Sequence, residues 1–432
     1  MHSPSTTLPS VNSPSMARIA FASFIGTAIE IYDFYIYAMA AALVIGEVFF
    51  PASAPAIQSL NALLTFGLAF IARPLGALLF GHFGDRIGRK STLAASLLVM
   101  GASTFLIGLL PGYDTLGVWA PVLLCLLRFG QGLGLGGEWA GAALLATEYA
   151  PEGKRGWYGM FPQLGPSIGF LLATLTFLGL SLGLTEAQFV VWGWRVPFII
   201  SAALVMVGFY VRFKLAETPA FAQAKSEQHI HRWPLKTLIL QHGKAIVLAA
   251  LAMGVCYHLF YTATVFCLSY GTQALHIARP VFLGMLCIAV IGMAVATPLA
   301  AWWADRVGRR PVLMSGQLMA LGLGFTLAPT FASGNLVLIV LFLFLALFLM
   351  GVTFAPMGAF LPEQFPVAVR YSGAGLAYQL GGILGASFAP AVAQFLVQQG
   401  GLPWVGFYMS VMAAISILAV WQMKPIRFTR HD

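Results

Sequence analysis

Apolar runs of about twenty residues recur along the whole chain, separated by short polar or Gly/Pro-containing breaks. A bilayer core about 30 Å thick needs about twenty apolar residues per helix, so this pattern predicts membrane-spanning helices. Lipid offers the backbone no hydrogen bonds, so we predict an all-α membrane protein. The twelve predicted spans cover residues 19–45, 59–82, 92–111, 119–147, 157–180, 195–213, 244–270, 280–303, 311–331, 335–360, 372–396 and 403–423.

Composition and charge support this prediction. Of the 432 residues, 59% are hydrophobic and only 9% are charged, too few to cover the surface of a soluble protein. The net charge of +9 could suggest nucleic acid, but the basic residues form short clusters between spans instead of one patch. We therefore expect the chain to lie in a lipid bilayer and to bind no nucleic acid.

An even number of spans places both termini on one side of the membrane. Most of the 23 Lys and Arg residues lie on that side, which the positive-inside rule makes cytoplasmic. The start of the chain has neither a basic segment nor a cleavage site, so we expect a disordered cytoplasmic tail. The predicted divisions are a tail at 1–18, a bundle at 19–213, a linker at 214–243, a bundle at 244–423 and a tail at 424–432.

The two halves of the chain repeat each other. GHFGDRIGRK at 81–90, after the second span, matches AWWADRVGRR at 301–310, after the eighth. The spacing E-x-x-P-x-x-x-R also occurs twice, from Glu148 to Arg155 and from Glu363 to Arg370. Repeats in the same order predict two pseudo-symmetric six-helix bundles with a binding site between them.

These motifs resemble those of a known family. GHFGDRIGRK and RFGQGLG at 128–134 are similar to signatures of the major facilitator superfamily. Four further stretches resemble its metabolite:H+ symporters, which include carriers of shikimate, 2-oxoglutarate, citrate and proline/betaine: IGTAIEIYDFYIY at 25–37, ARPLGALLFGHFGDRIGRK at 72–90, GGEWAGAALLATE at 136–148 and WGWRVPF at 192–198. The resemblance implies the twelve-helix major facilitator fold and alternating-access transport in the bacterial inner membrane. It names no substrate.

Five acids and bases lie inside the spans, away from the membrane surfaces: Glu30, Asp33, Arg73, Arg128 and Glu138. Each costs several kcal/mol in hydrocarbon, so these groups should face a polar cavity or one another. A functional role is the default interpretation for such groups. The alternative is a static network of ion pairs that orients the helices.

Helical periodicity of about 100° per residue groups the polar residues on two faces. Glu30, Asp33 and Tyr37 share an arc of about 60° on the first span, and Arg128, Gln131 and Glu138 share a face of the fourth. Arg128 is a candidate for binding a substrate carboxylate, because its planar fork stays charged. With three carboxylates and two guanidiniums, one acid is left to carry a proton.

We expect Glu30 or Asp33 to carry that proton and Glu138 to pair with an arginine; the residues do not rank the first two. Arg73 is a further substrate-site candidate, or a structural partner of a first-span acid. The second half has no charge embedded in its spans, so its contribution should be neutral. Its candidates, with packing as the alternative role, are His258, Tyr261, Tyr378 and Gln379. Gln163, between two prolines of the fifth span, completes the predicted substrate site.

The repeated loop motifs place acids and bases at the inner surface of the membrane. The helix ends beside them add a favourable partial positive charge for the acids. The resemblance implies that such networks latch the bundles together when the transporter is outward-open; the alternative is a role in topology alone. The predicted gate residues are Asp85, Arg89, Glu148, Arg155, Asp305, Arg309, Glu363 and Arg370.

Enzyme classes find little support. Gly132, Gly134 and Gly137 have the spacing of a dinucleotide-binding loop, but they lie inside a span with no preceding strand. No cysteine pair has metal-ligand spacing, so we predict neither a cofactor nor a metal. We predict a monomeric proton symporter that imports a small organic acid. The alternatives are an antiporter or exporter, suggested by a partial motif from Gly165 to Gly169, and a carrier of zwitterions such as betaine or an amino acid.

Overall fold

The computed structural model describes residues 16–51, 53, 55–87, 89–136, 150, 153–214, 234–366 and 370–423. Its helices match the twelve predicted spans, except that residues 137–147 of the fourth span lie outside the described residues. This confirms the all-α membrane fold. We number them α1 (Met16–Leu43), α2 (Pro55–Ile87), α3 (Arg89–Leu109), α4 (Trp119–Leu135), α5 (Arg155–Gly183), α6 (Val196–Lys214), α7 (Pro234–Tyr261), α8 (Arg279–Val307), α9 (Arg309–Gly324), α10 (Leu336–Phe354), α11 (Arg370–Gly382) and α12 (Leu402–Gln422).

Short helices continue or connect these elements. A π-helical turn, Thr262–Phe266, joins α7 to Cys267–Gln273, and a second one, Ile383–Ser387, joins α11 to Ala389–Gly400. Met357–Glu363 extends α10. The remaining short helices are Ile45–Phe49, Tyr113–Leu116, Glu186–Val191, Gly193–Arg195 and Leu327–Ala332. Eight helical segments of the described chain are long and apolar enough to cross a membrane, and two shorter apolar helices match the third and fourth spans.

Helix pairing is the same in the two halves, α1–α6 and α7–α12. In the first half α1 packs on α5, α2 on α4 and α3 on α6; in the second, α7 packs on α11, α8 on α10 and α9 on α12. The halves meet where α5 packs on α8 and where α2 packs on α11 and its extension. This pairing follows the internal repeat seen in the sequence.

The predicted domain boundaries stay a prediction, because 1–15, 215–233 and 424–432 lie outside the described residues. Residues 234–243, predicted as linker, belong to the first turns of α7. The sequence did not predict that α7 begins here, because polar residues interrupt this stretch, and a helix can continue beyond the apolar core of the bilayer. We call the end of the bundle with Met16 and Gln422 the termini end, and the opposite end the far end.

Glycines allow α4 to lie close to two neighbours. A methyl group at Gly132 would overlap the carbonyl oxygen of Ala69 on α2, and one at Gly134 would lie 2.6 Å from Cβ of Met100 on α3. Gly132 and Gly134 of the apparent dinucleotide motif therefore lie on different faces of one helix, while Gly137 lies outside the described residues. Close backbone packing, as is common between membrane helices, accounts for them.

We expect Gly132→Ala to destabilise the protein, because the added methyl group meets a backbone oxygen that cannot move independently of α2. Overpacking of this kind costs about 1–3 kcal/mol. Gly284→Ala on α8 is the matched control, since a methyl group there meets nothing within 4 Å. Thermal unfolding in detergent should show a lower midpoint for Gly132→Ala only. Equal midpoints for the two variants would contradict the packing role.

Candidate functional site

Aromatic side chains from both halves meet at the centre of the interface. Pairs across the interface include Phe70 with Tyr261, whose ring centroids lie 5.4 Å apart, and Tyr35 with Phe260, 5.0 Å apart. Most of the contacts are edge-to-face or tilted, which aromatic pairs favour. We call these nine buried rings the aromatic cluster: Phe34, Tyr35, Phe66, Phe70, Phe170, Tyr257, Phe260, Tyr261 and Tyr378.

Arg73 of α2 places a positive charge against this cluster. Its guanidinium carbon lies 4.4 Å from the ring centroid of Phe34 and 4.3 Å from that of Phe70, so the ring faces stabilise the charge. In the described part of the chain no carboxylate lies within 4 Å of it, and its Nε has no hydrogen-bond partner. Phe70 in turn contacts Tyr257 and Tyr261 of the second half, whose ring centroids lie 6.3 Å and 5.4 Å from its own. This guanidinium is a candidate for binding an anion between the halves.

Arg128 is held inside the first half. Its Nη2 donates to the carbonyl of Phe66 at 2.9 Å, its Nη1 donates to Oε1 of Gln131, and its guanidinium lies 3.7 Å from the ring centroid of Tyr37. The Tyr37 hydroxyl in turn lies 2.6 Å from Oγ1 of Thr65. Arg128 and Tyr37, predicted to bind substrate, thus fix α1, α2 and α4 to one another.

Gln131 connects Arg128 to the first helix. Its Nε2 donates to the backbone carbonyl of Asp33 at 3.0 Å and to Oγ1 of Thr104 on α3 at 2.9 Å. Gln131 was also a predicted substrate ligand, but its amide is committed to these contacts and to Arg128. It links the helix turn that carries Asp33 to the most deeply buried guanidinium of the first half.

Asp33 is a fully buried carboxylic acid. Neither of its side-chain oxygens has a hydrogen-bond partner within the described chain, and the polar group that faces it is the hydroxyl of Ser201 on α6, itself unbonded. Glu30, one turn earlier, is buried and engaged with a partner, while Glu138 lies outside the described residues. A carboxyl group this isolated inside a membrane protein is a candidate for binding and releasing a proton.

The remaining residues of the predicted substrate site lie partly inside and partly outside the aromatic cluster. Tyr261 and Tyr378 belong to the aromatic cluster. His258 does not: its ring centroid lies 4.4 Å from that of Tyr408 on α12, inside the second half. Gln379 donates to the carbonyl of Gly136 on α4 at 2.9 Å, and Gln163 donates to that of Phe354 on α10 at 3.0 Å. Both glutamines therefore bridge the halves on the termini side of the cluster.

The termini end is closed by a charged network. Asp305, at the end of α8, accepts hydrogen bonds from the backbone N–H groups of Gly156 and Trp157, each at 2.9 Å. These groups belong to the first turn of α5 in the opposite half, where a carboxylate also benefits from the helix dipole. Arg309 lies 2.7 Å from Glu363 and 3.9 Å from Asp305.

Fewer contacts are described for the other predicted gate residues. Arg155 is exposed and engaged with a partner, and Arg370 donates to the carbonyl of Phe365 at 3.3 Å. Asp85 and Arg89 lie in α2 and α3, but their side chains are outside the described part, as is Glu148. From the sequence we expected the helix ends that follow the repeated loops to stabilise the acids of those loops. The observed partner of Asp305 is the first turn of α5, a helix of the other half.

Contacts at the far end were not foreseen from the sequence. Gln273 donates to the carbonyl of Ala42 on α1 at 3.3 Å and accepts a hydrogen bond from Ser59 on α2. Arg279 pairs with Glu186, whose side chain is 75% exposed. Polar residues at the ends of spans are common, so nothing in the pattern distinguished these. Both ends of the interface are thus bridged, with the aromatic cluster between them.

The chain belongs to the major facilitator superfamily, in its metabolite:H+ symporter family, which confirms the resemblance. A family model for sugar (and other) transporters matches residues 19–238, and one for the Major Facilitator Superfamily matches 256–430. The protein is therefore a secondary transporter of small molecules and not an enzyme.

Two relatives from Escherichia coli match nearly the whole chain. The inner membrane metabolite transport protein YhjE is 52% identical over 94% of this chain and 93% of its own length. The shikimate transporter is 38% identical over 94% of each chain. Among solved structures, the E. coli xylose transporter XylE, in a partially occluded inward open conformation, has a TM-score of 0.76 at 17% identity over 96% of this chain and 98% of its own. The last comparison supports the fold alone.

We expect Asp305→Ala to open the termini end more often, because it removes two charge-assisted hydrogen bonds between the halves. Met160, buried where α5 meets α8, is a reporter position. Met160→Cys would be introduced after replacement of Cys125, Cys256, Cys267 and Cys287 by Ser. Loss of one such bond costs about 1.5–3 kcal/mol, so maleimide labelling should accelerate about tenfold or more.

Asp114→Ala, at the far end, is the control for loss of a carboxylate and should leave labelling unchanged. Labelling of the Asp305→Ala protein at the original rate would show that the network does not latch the halves.

Proposed function

We propose that this transporter imports a small organic acid together with protons across the bacterial inner membrane, with both termini in the cytoplasm. The observation that carries the proposal is the position of Arg73, against aromatic rings at the interface of the halves. Shikimate, named for a relative that is 38% identical, is itself an organic acid. The basic residues on the side of the termini support the orientation.

The substrate carboxylate binds the guanidinium of Arg73. This group presents two parallel N–H donors, which suit a carboxylate, and it stays charged in the membrane. Phe34 and Phe70 hold it in place from the first half, while Tyr257 and Tyr378 of the second half lie beside it. A substrate bound here contacts both halves, so their rocking exposes it to one side of the membrane and then to the other.

Asp33 carries the proton. It adjoins Phe34 in α1, and the ring of Phe34 contacts the guanidinium of Arg73. Gln131 joins the carbonyl of Asp33 to Arg128, which also donates a hydrogen bond to the carbonyl of Phe66 on α2, the helix that carries Arg73. Protonation of Asp33 and binding of an anion at Arg73 therefore act on the same two helices. This arrangement supports symport and ranks Asp33 above Glu30.

The termini-end network closes the cytoplasmic side while the site faces outward. Asp305 holds α5 while the far-end contacts at Gln273 are broken; when the halves rock, the contacts at Gln273 form again and those at Asp305 break. A single chain supplies both halves of the site and both sets of bridges. We therefore propose that the protein works as a monomer in the lipid bilayer.

The antiporter alternative finds no added support in the fifth span. A methyl group at Gly165 would lie 2.8 Å from Cβ of Thr27, and one at Gly169 would lie 2.7 Å from the carbonyl oxygen of Ala28. Packing of α5 against α1 accounts for both glycines. A betaine carrier has one observation in its favour, since aromatic rings bind quaternary ammonium groups, but the charge of Arg73 opposes a cation at the same place.

Uptake by proteoliposomes under an imposed pH gradient tests the proposal, with a screen of mono-, di- and tricarboxylates and betaines. We expect an organic acid to be accumulated and Arg73→Gln to raise its KM about tenfold to a hundredfold, since a charged hydrogen bond contributes about 1.5–3 kcal/mol. Arg73→Lys, which keeps the charge but not the planar fork, should have a KM between those of the unmodified protein and Arg73→Gln. Uptake of betaine only, or acid uptake unaffected by Arg73→Gln, would refute this substrate site.

Asp33→Asn should abolish accumulation driven by the pH gradient and preserve exchange of labelled for unlabelled substrate, because the amide binds no proton at neutral pH. Glu30→Gln is the comparison, and we expect it to keep proton-driven accumulation. The reverse result would assign the proton to Glu30. Accumulation by both variants would contradict proton coupling through the first helix.

A further inference from the structure

The outer surface of the second half carries two arginines that the latch does not use. Arg306, Arg309 and Arg310 lie at the junction of α8 and α9. Arg309 turns inward and pairs with Glu363, and Asp305 is engaged by Arg309 and by the backbone of α5. Within the described chain, no carboxylate lies within 4 Å of the guanidinium of Arg306 or Arg310. At this surface the two positive charges therefore have no carboxylate partner among the described residues.

Exposed tryptophans orient both charges. The guanidinium of Arg306 lies 3.9 Å from the ring centroid of Trp302, and Arg310 donates a hydrogen bond to the backbone carbonyl of Trp421 on α12. Trp302 is 48% exposed, Trp303 42% and Trp421 63%. Tryptophans exposed near the ends of membrane helices lie at the depth of the lipid headgroups. The two guanidiniums are thus at the level of the lipid phosphates.

The internal repeat shows that topology alone does not account for this surface. Arg86 and Lys90 of the first half correspond in sequence to Arg306 and Arg310, so both loops carry the positive charge that favours the cytoplasmic side. The residues matching Trp302 and Trp303, however, are His82 and Phe83. Tryptophan beside the charges is a property of the second half only.

We propose that the surface formed by Trp302, Trp303, Arg306, Arg310 and Trp421 binds the headgroup of an anionic phospholipid. The phosphate accepts hydrogen bonds from the two guanidiniums, which suit its geometry. The acyl chains run from the headgroup toward the bilayer centre along the apolar outer surface of α8, where Trp303, Leu299 and Val295 are exposed. A free phosphate ion shares the headgroup chemistry but lacks the chains, so the exposed apolar residues favour lipid.

Native mass spectrometry of the purified full-length protein tests the proposal, with phosphatidylglycerol and phosphatidylcholine titrated into the detergent. We expect preferential binding of phosphatidylglycerol. Each arginine contributes about 1 kcal/mol near an anionic headgroup, so Arg306→Gln with Arg310→Gln should weaken this binding about thirtyfold. Arg306→Lys with Arg310→Lys keeps the charges and should retain most of it. Unchanged thermal unfolding of the variants would verify that they are folded.

The repeat offers a matched control: Arg86→Gln with Lys90→Gln removes the same charge at the same end of the other half and should leave binding unchanged. Equal loss in this control would mean diffuse attraction to a basic surface and would overturn the proposal. So would undiminished binding after loss of Arg306 and Arg310. Displacement of the lipid by millimolar inorganic phosphate would identify a site for free anions instead. Trp302→Leu, which keeps both charges, should give a smaller loss.

Discussion

Positive charge buried in a membrane is the constraint on which much of this structure depends. A guanidinium stays charged in hydrocarbon, so the surrounding helices have to supply its partners. Arg128 obtains them from carbonyls of α2, an amide of α4 and the ring of α1, and it thereby fixes three helices of the first half. Arg73 obtains ring faces instead of strong hydrogen-bond acceptors. The first arrangement is structural, and the second leaves donors that a substrate can use.

The two ends of the interface are closed by different chemistry. At the termini end Asp305 binds backbone amides of the opposite half and is backed by Arg309 and Glu363. At the far end a neutral amide, Gln273, contacts two helices, and the ion pair of Arg279 has an exposed partner that contributes little in water. Salt screens the ion pairs at both ends, most strongly the exposed one at the far end, but it has little effect on the neutral amide contacts of Gln273. Opening one end breaks the hydrogen bonds of that end, while the separate hydrogen bonds of the other end remain.

The sequence predicted the helices well because lipid requires long apolar runs, and it identified Asp33, Arg73 and Arg128 because charge is rare within such runs. It did not show which neighbours those groups choose. Phe34 and Phe70 are indistinguishable in sequence from any phenylalanine facing lipid. The backbone amides that bind Asp305 have no sequence signature, and Gln273 is an ordinary polar residue at the end of a helix. Contacts between halves depend on the relative position of two bundles, which local patterns do not encode.

The duplicated halves have acquired different tasks. Within the described chain, the carboxylates and guanidiniums buried in the middle of the spans lie in the first half, whereas the second half contributes neutral rings to the same interface through Tyr257, Phe260, Tyr261 and Tyr378. The ionisable groups and the neutral rings of the interface are thus supplied by different halves of the chain. After a gene duplication, such a separation lets one half change its neutral side chains while the other half keeps its buried charges.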